Sequence, residues 1–195
     1  MKILICAALK SELIPVKEHL NQEKIPESIE VEFLKTGMGI SNIKTKLADL
    51  LEKNKYDYVI NSGTAGSLKE DLHVGEIFIP TKIEYFDNQK KLNTYLTHNI
   101  ETNTNWKTGI LVTSDKDITT TTDREKLKAK TKAEAVDMEA FEAAKLCKSN
   151  DISFISVKVI SDYADSFNKS NYKKTMKKIT PYLAKATYQI INQTI

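Results

Sequence analysis

Nine residues in the last third of the chain, Ile152 to Ile160 (ISFISVKVI), constrain the fold more than any other stretch. They are apolar and β-branched almost throughout, as a strand needs to be when both of its faces are buried in a parallel sheet. The run leads straight into Ser161-Asp162-Tyr163-Ala164-Asp165. Upstream lies Ala135-Val136-Asp137, a short strand. Behind it comes a helix whose apolar positions Ala140, Phe141, Ala144 and Cys147 share one face of a 3.6-residue period. Strand, helix and buried strand in succession read as an α/β fold. Sheets of this kind bind ligands outside the carboxyl ends of their strands. Asp162 is expected at that edge, with Glu139 facing the same crevice.

The rest of the chain repeats the pattern. Lys2 to Ala7 reads as a buried strand, followed by a helix with Ser11 as its expected cap and Pro15 in its first turn. Glu12 in that turn could simply complement the helix dipole, but it also follows a strand end, where sites are built. Ile29 to Lys35 alternates as a strand and ends in Thr36-Gly37-Met38-Gly39, before a helix over about Ile40 to Lys53. Tyr58 to Asn61 is expected as a strand, and Ser62-Gly63-Thr64-Ala65-Gly66-Ser67 as a glycine loop offering backbone N–H groups and the Thr64 hydroxyl. That loop matches neither a dinucleotide fingerprint nor a P-loop. Val74 to Pro80 and Gly109 to Thr113 read as further strands, and Ile83-Glu84-Tyr85-Phe86 is apolar enough to continue the first past Pro80. Asp123 is the expected cap of a short helix over Arg124–Lys130. Between Asp87 and Thr108, Asn, Thr and Lys without periodicity predict a loop or irregular hairpin anchored by Trp106. A final amphipathic helix, from about Tyr172 to Asn192, buries Met176, Ile179, Leu183 and Ile190 and turns Lys173, Lys174, Lys177 and Lys178 to solvent.

Composition removes several classes of function. A net charge of +3 over 195 residues argues for neither nucleic acid nor an anionic membrane as partner. Arg124 is the chain's single arginine. Cys6 and Cys147 fall in apolar surroundings, as buried free thiols in a reducing compartment do. His19, His73 and His98 are scattered, so no metal site or Ser-His-Asp triad is expected. The opening MKILICAAL is read as a first strand, not a signal peptide, and no run is long enough to span a membrane. A single domain, cytoplasmic and without cofactor or metal, is the expectation.

Taken in order, MKILICAALKSE, TGMG, VINSGTAGSL, VGEIFIP, LVTSD, AVDMEA and VKVISDYAD resemble the nucleoside phosphorylase/nucleosidase superfamily. Within it they are most like the 5′-methylthioadenosine/S-adenosylhomocysteine nucleosidases. AVDMEA and ISDYAD carry most of the specificity. The resemblance implies a three-layer α/β/α fold with a twisted mixed central sheet that part-closes as a barrel. It also implies cleavage of the N-glycosidic bond of a purine nucleoside, a place in methionine salvage, and a homodimer.

Breaking that bond builds positive charge on the sugar and negative charge on the departing base. It calls for a proton donor at the base, a carboxylate at the ribose and a poised water. The resemblance assigns catalysis to Glu12, orienting the water, and to Asp162, donating to or sharing a proton with purine N7. Glu139 would accept from the ribose hydroxyls, Met138 would pack on the ribose, and Ser161 would fix Asp162. Asp137, Ile118, Thr64, Gly63, Met38 and Tyr172 complete the substrate-binding set. The chain departs from the family at three places. Lys158 stands where the family has an arginine, and Asp117 where it has a phenylalanine that stacks on adenine. The segment from Asp87 to Thr108 is shorter, which predicts an open 5′ pocket. The alternatives are a purine nucleoside phosphorylase, a futalosine-type hydrolase and a non-catalytic nucleoside-binding protein. A phosphorylase is disfavoured because Asn61 occupies the position of its phosphate-binding arginine.

Overall fold

The computed structural model describes residues 1–86, 91–97, 105–165 and 172–194. Along these the chain runs β1 (Lys2–Ala7), α1 (Lys10–Gln22), β2 (Glu30–Lys35), α2 (Ile40–Lys53), β3 (Tyr58–Ser67), β4 (Ile77–Phe86) and β5 (Lys91–Leu96). It continues with β6 (Lys107–Ser114), α3 (Thr121–Lys130), β7 (Ala135–Asp137), α4 (Ala140–Ser149), β8 (Ser153–Asp162) and α5 (Tyr172–Thr194). All eight strands join one mixed sheet.

β3 pairs with β7, β7 with β6, β6 with β4, β4 with β8, and β8 returns to β3. These five strands therefore close on themselves, while β1 and β2 extend the sheet beyond β3, and β5 extends it beyond β4. Closure removes most exposed edges, and it confirms the part-closed barrel that the resemblance implies.

Side chains of the central strands alternate between two apolar layers. Ile3, Ile5, Ile60, Ile155, Val157 and Val159 pack with α1 and α5 residues such as Val16, Leu183 and Ile190. Leu4, Cys6, Val59, Phe154 and Ile160 pack with Ile43 and Leu47 of α2 and Phe141 and Ala144 of α4. The period of two thus sends every second residue to a different helical layer, giving the three-layer α/β/α architecture. The odd-numbered face of β8 is apolar from Ile155 to Val159, with Ser153 and Ser161 at its two ends. Its even-numbered face also carries Ser156 and Lys158, both buried.

Several local expectations change. Residues 62–67 are not a loop. They continue β3, because β8 offers a parallel partner as far as Asp162, with one register shift between Ala65 and Gly66. Helix α1 starts at Lys10 with Leu9 as its N-cap, so Ser11 does not cap it and Pro15 lies in the second turn. Thr120, not Asp123, caps α3, its hydroxyl accepting from the Asp123 N–H at 3.1 Å. Between 87 and 108 the chain does form a hairpin strand, β5, antiparallel to β4. Tyr95 from it and Tyr85 pack on Phe141, with ring centroids 5.0 and 5.2 Å away. Residues 87–90 and 98–104 lie outside the described residues. Lys173, Lys174, Lys177 and Lys178 are exposed, as the amphipathic pattern requires.

Candidate active site

The carboxyl ends of β1, β6, β7 and β8, the distal half of β3 and the starts of α1 and α5 surround a cleft of about 250 Å³. The topology rule places a ligand at this end of the sheet. Of the residues singled out from the sequence, Glu12, Met38, Thr64, Ile118, Asp137, Met138, Glu139, Ser161, Asp162 and Tyr172 line it. Gly63 does not. It sits behind the wall, where an added Cβ would meet Glu12 Oε1 at 3.4 Å and Lys158 Nζ at 3.6 Å.

Glu12, in the first turn of α1, is only 3% exposed. Its Oε2 accepts from the Leu9 N–H at 2.9 Å, the helix-start role. Its Oε1 accepts from both the Thr64 N–H (2.9 Å) and the Thr64 hydroxyl (2.8 Å), locking α1 to β3. One carboxylate therefore satisfies the structural and the site-building readings together.

Glu139 precedes α4 and is 8% exposed. It does not cap its own helix. Its Oε1 instead accepts from the Gly39 N–H at 2.6 Å, joining the α2 and α4 starts. Capping falls to Asp137, whose Oδ2 accepts from the Ala140 N–H at 3.0 Å while Oδ1 accepts from the Thr113 hydroxyl at 2.6 Å. Asp137 thus reaches the cleft wall with both oxygens engaged by protein groups. Burial, and after it the Asp137 charge, pushes Glu139 up to about 7, against the opposing pull of Lys158 and the Gly39 N–H.

Asp162 closes β8. Its Oδ2 accepts from the Ser161 hydroxyl at 2.6 Å and its Oδ1 from the Ala164 N–H at 2.7 Å. Ala164 holds a φ of +52°, a left-handed conformation rare outside glycine and asparagine. Gly66 makes room for this turn. A Cβ there would stand 3.0 Å from both Asp162 Oδ1 and the Ala164 methyl group. Tyr172, at the start of α5, has its phenol pushed up to about 12 by partial burial and then by Glu12. Met38, 51% exposed, stands at the mouth.

Lys158, Asn61 and Asp137 were each singled out from the sequence, but not the network they form beneath the cleft. Lys158 is 2% exposed, with its Nζ 2.7 Å from Asn61 Oδ1 and 2.8 Å from Asp137 Oδ2. A lysine inside a doubly buried strand requires a buried acceptor nearby, and that was the available signal. Gly66, Lys116 and Thr119 also line the cleft unannounced. Among the described residues the lining acids are Glu12, Asp117, Asp137, Glu139, Asp162 and Asp165, against one basic residue, Lys116. Such a lining favours positive charge developing on a bound molecule and opposes an incoming anion.

A profile of the phosphorylase superfamily matches residues 29–195. The 5′-methylthioadenosine/S-adenosylhomocysteine nucleosidase of Buchnera aphidicola subsp. Schizaphis graminum is 29% identical over 213 residues, covering 90% of each chain. Among solved structures, a mutant of the Helicobacter pylori nucleosidase with 5′-methylthioadenosine in its active site superposes with a TM-score of 0.85. It is 19% identical, with 98% of each chain covered. The Helicobacter pylori futalosine hydrolase superposes equally well, also at 0.85 and 19% identity, over 98% of this chain and 97% of its own.

Proposed function

The chain belongs to the phosphorylase superfamily, and from that membership we propose that it is a hydrolytic purine nucleosidase. It cleaves the N-glycosidic bond of a nucleoside of the 5′-methylthioadenosine/S-adenosylhomocysteine type, releasing free base and the ribose moiety. One observation carries the reading. Three separately positioned acids, Glu12, Glu139 and Asp162, converge on a cleft whose lining is strongly negative.

In the proposed reaction Glu12, fixed by Leu9 and Thr64, orients the attacking water. Glu139 accepts from the ribose hydroxyls and steadies the cationic sugar. Asp162, held by Ser161 and the Ala164 N–H, protonates or shares a proton with purine N7 as the base leaves. Met138 packs on the ribose, Ile118 and Tyr172 border the base, and Met38 flanks the 5′ group. Asp137 serves in the wall, with both oxygens held by protein groups, and Gly63 from behind it.

Water is the better nucleophile here than phosphate. Phosphate recognition favours exposed, bidentate arginines. Arg124 lies outside the cleft, with its Nη1 2.9 Å from Glu125, and the Lys158 ammonium is occupied by Asn61 and Asp137. Cleavage of 5′-methylthioadenosine would place the protein in methionine salvage. Two buried free cysteines fit a cytoplasmic location. The proposed assembly is a homodimer, the commonest symmetric state of soluble enzymes.

Incubation with 5′-methylthioadenosine, adenosine, inosine and futalosine, followed by chromatography of the free base, tests the reading. Release of adenine from methylthioadenosine is expected. Release from futalosine alone would move the chain to the neighbouring hydrolase class, and release from none would leave a nucleoside-binding protein.

A further inference from the structure

Behind the acid-lined cleft lies Lys158, the one buried cation among the described residues. The proposed reaction gives it no task. Its place on β8 puts it opposite Gly63 of β3 in the parallel register, and opposite Phe78 of β4 in the antiparallel one. It therefore stands inside the closed part of the sheet, at 2% exposure. An ammonium group so placed is costly unless its donors are met. Two of its three donors are met by Asn61 Oδ1 at 2.7 Å and Asp137 Oδ2 at 2.8 Å. Asp137 in turn holds the first N–H of α4 and the Thr113 hydroxyl, and Thr113 accepts from the Phe141 N–H at 3.0 Å. Glu139 lies in this same turn of chain. The start of α4, and with it the Glu139 carboxylate, is thus tied to one buried charge.

We propose that Lys158 is a positioning residue for this reaction. Its ammonium group clamps Asp137 and Asn61 beneath the cleft and neutralises the acid cluster from behind, so that Glu139 can stand ionised beside the ribose. It touches no substrate atom and is not itself catalytic. The inference rests on the nucleosidase reading and adds to it a residue outside the cleft lining.

The electrostatic neighbourhood of Glu139 supports it. Asp137 from β7 and Glu12 from α1 oppose ionisation, while Lys158 from β8 and the Gly39 N–H at the α2 start favour it. Cys6 on β1 also faces this group, but burial pushes its thiol up to about 12, so it stays neutral. Lys158 is the single cation among these neighbours. Its partners also discriminate it from an arginine. Asn61 Oδ1 and Asp137 Oδ2 each meet the ammonium group as a point charge, through one oxygen apiece, and neither offers it a bidentate fork.

The experiment compares wild type, Lys158→Met and the double variant Lys158→Met/Asp137→Asn. It reads base release from 5′-methylthioadenosine as a function of pH, with Tm measured alongside. Wild-type turnover is the prior condition, and its absence would defeat the nucleosidase reading and not this inference. In Lys158→Met the acid limb of kcat/KM is expected to move up by about 1 pH unit or more. Activity at neutral pH should then fall about tenfold or more. Neutralising Asp137 in the double variant should return the limb at least halfway. Should Lys158→Met fail to fold, the double variant is expected to fold, since the uncompensated buried acid is gone. An acid limb in folded Lys158→Met that coincides with the wild-type limb would overturn the proposal. So would a double variant that restores neither the limb nor folding, because Lys158 would then act by packing alone.

Discussion

At the scale of single residues, the site is built from carboxylates that do two things at once. Glu12 closes the first turn of α1 and ties Thr64 to it, and Asp162 holds a left-handed turn at Ala164. Glu139 carries the clearest energetic signature, being pushed up to about 7 mainly by burial. In the proposed reaction it is the carboxylate form that accepts from the ribose hydroxyls, so kcat/KM should fall as pH drops through about 7. A pH profile of Glu139→Gln should lack that limb. The same shift has the opposite sign for stability. A carboxyl group whose folded pKa exceeds its unfolded value stabilises the fold at low pH, and that contribution is lost as pH rises from about 4.5 through 7. The loss is on the order of 3 kcal/mol, so Glu139→Gln at pH 8 should melt at or above the wild-type temperature. Its turnover, like that of Asp162→Asn, should drop by roughly 10²-fold or more. Wild-type rates in either amide variant would remove that acid from the mechanism.

At the scale of elements, the pairing of β3 with β8 decides where the acids stand. Gly63 and Gly66 differ sharply within this pair. A Cβ at Gly63 meets Glu12 and Lys158 side-chain ends at ordinary contact distances, whereas one at Gly66 collides with Asp162 and with the Ala164 backbone at 3.3 Å. Gly66→Ala should therefore lower kcat about tenfold or more by displacing Asp162, and Gly63→Ala should cost only a few-fold. Parallel kinetics on the two variants check this, and equal effects would contradict the geometry. Much of this arrangement was legible in the sequence. Each of the three acids follows a predicted strand, and strand ends of an α/β sheet converge. The apolar run of β8 announced its own burial on both faces. What stayed hidden depends on partners distant in sequence. Residues 62–67 look like a glycine loop until β8 supplies hydrogen-bonding partners along their length. Asn61, Lys158, Asp137 and Thr113 become one network only when β3, β8, β7 and β6 are brought together by the closed sheet. Ser11 looked like a cap because local chemistry favours it, but the Glu12 carboxylate took the helix start.

At the scale of the whole molecule, a closed barrel with helices on two sides fixes the cleft at one end of the sheet, and the access to that cleft governs specificity. The short segment between Asp87 and Thr108 predicts an open 5′ pocket. An open pocket gains little from burying an alkylthio group, at about 25 cal/mol per Å². The kcat/KM ratio of methylthioadenosine to adenosine should then stay under a hundredfold, equivalent to roughly 2.7 kcal/mol, and a larger ratio would show the pocket closed. In the proposed reaction an acid-lined cleft without an exposed arginine directs water to a ribosyl–purine bond. The most direct measurement is the identity of the sugar released from 5′-methylthioadenosine, with and without millimolar inorganic phosphate. Free methylthioribose is expected at the same rate in both. A phosphate-dependent rate with a sugar 1-phosphate as product would contradict it.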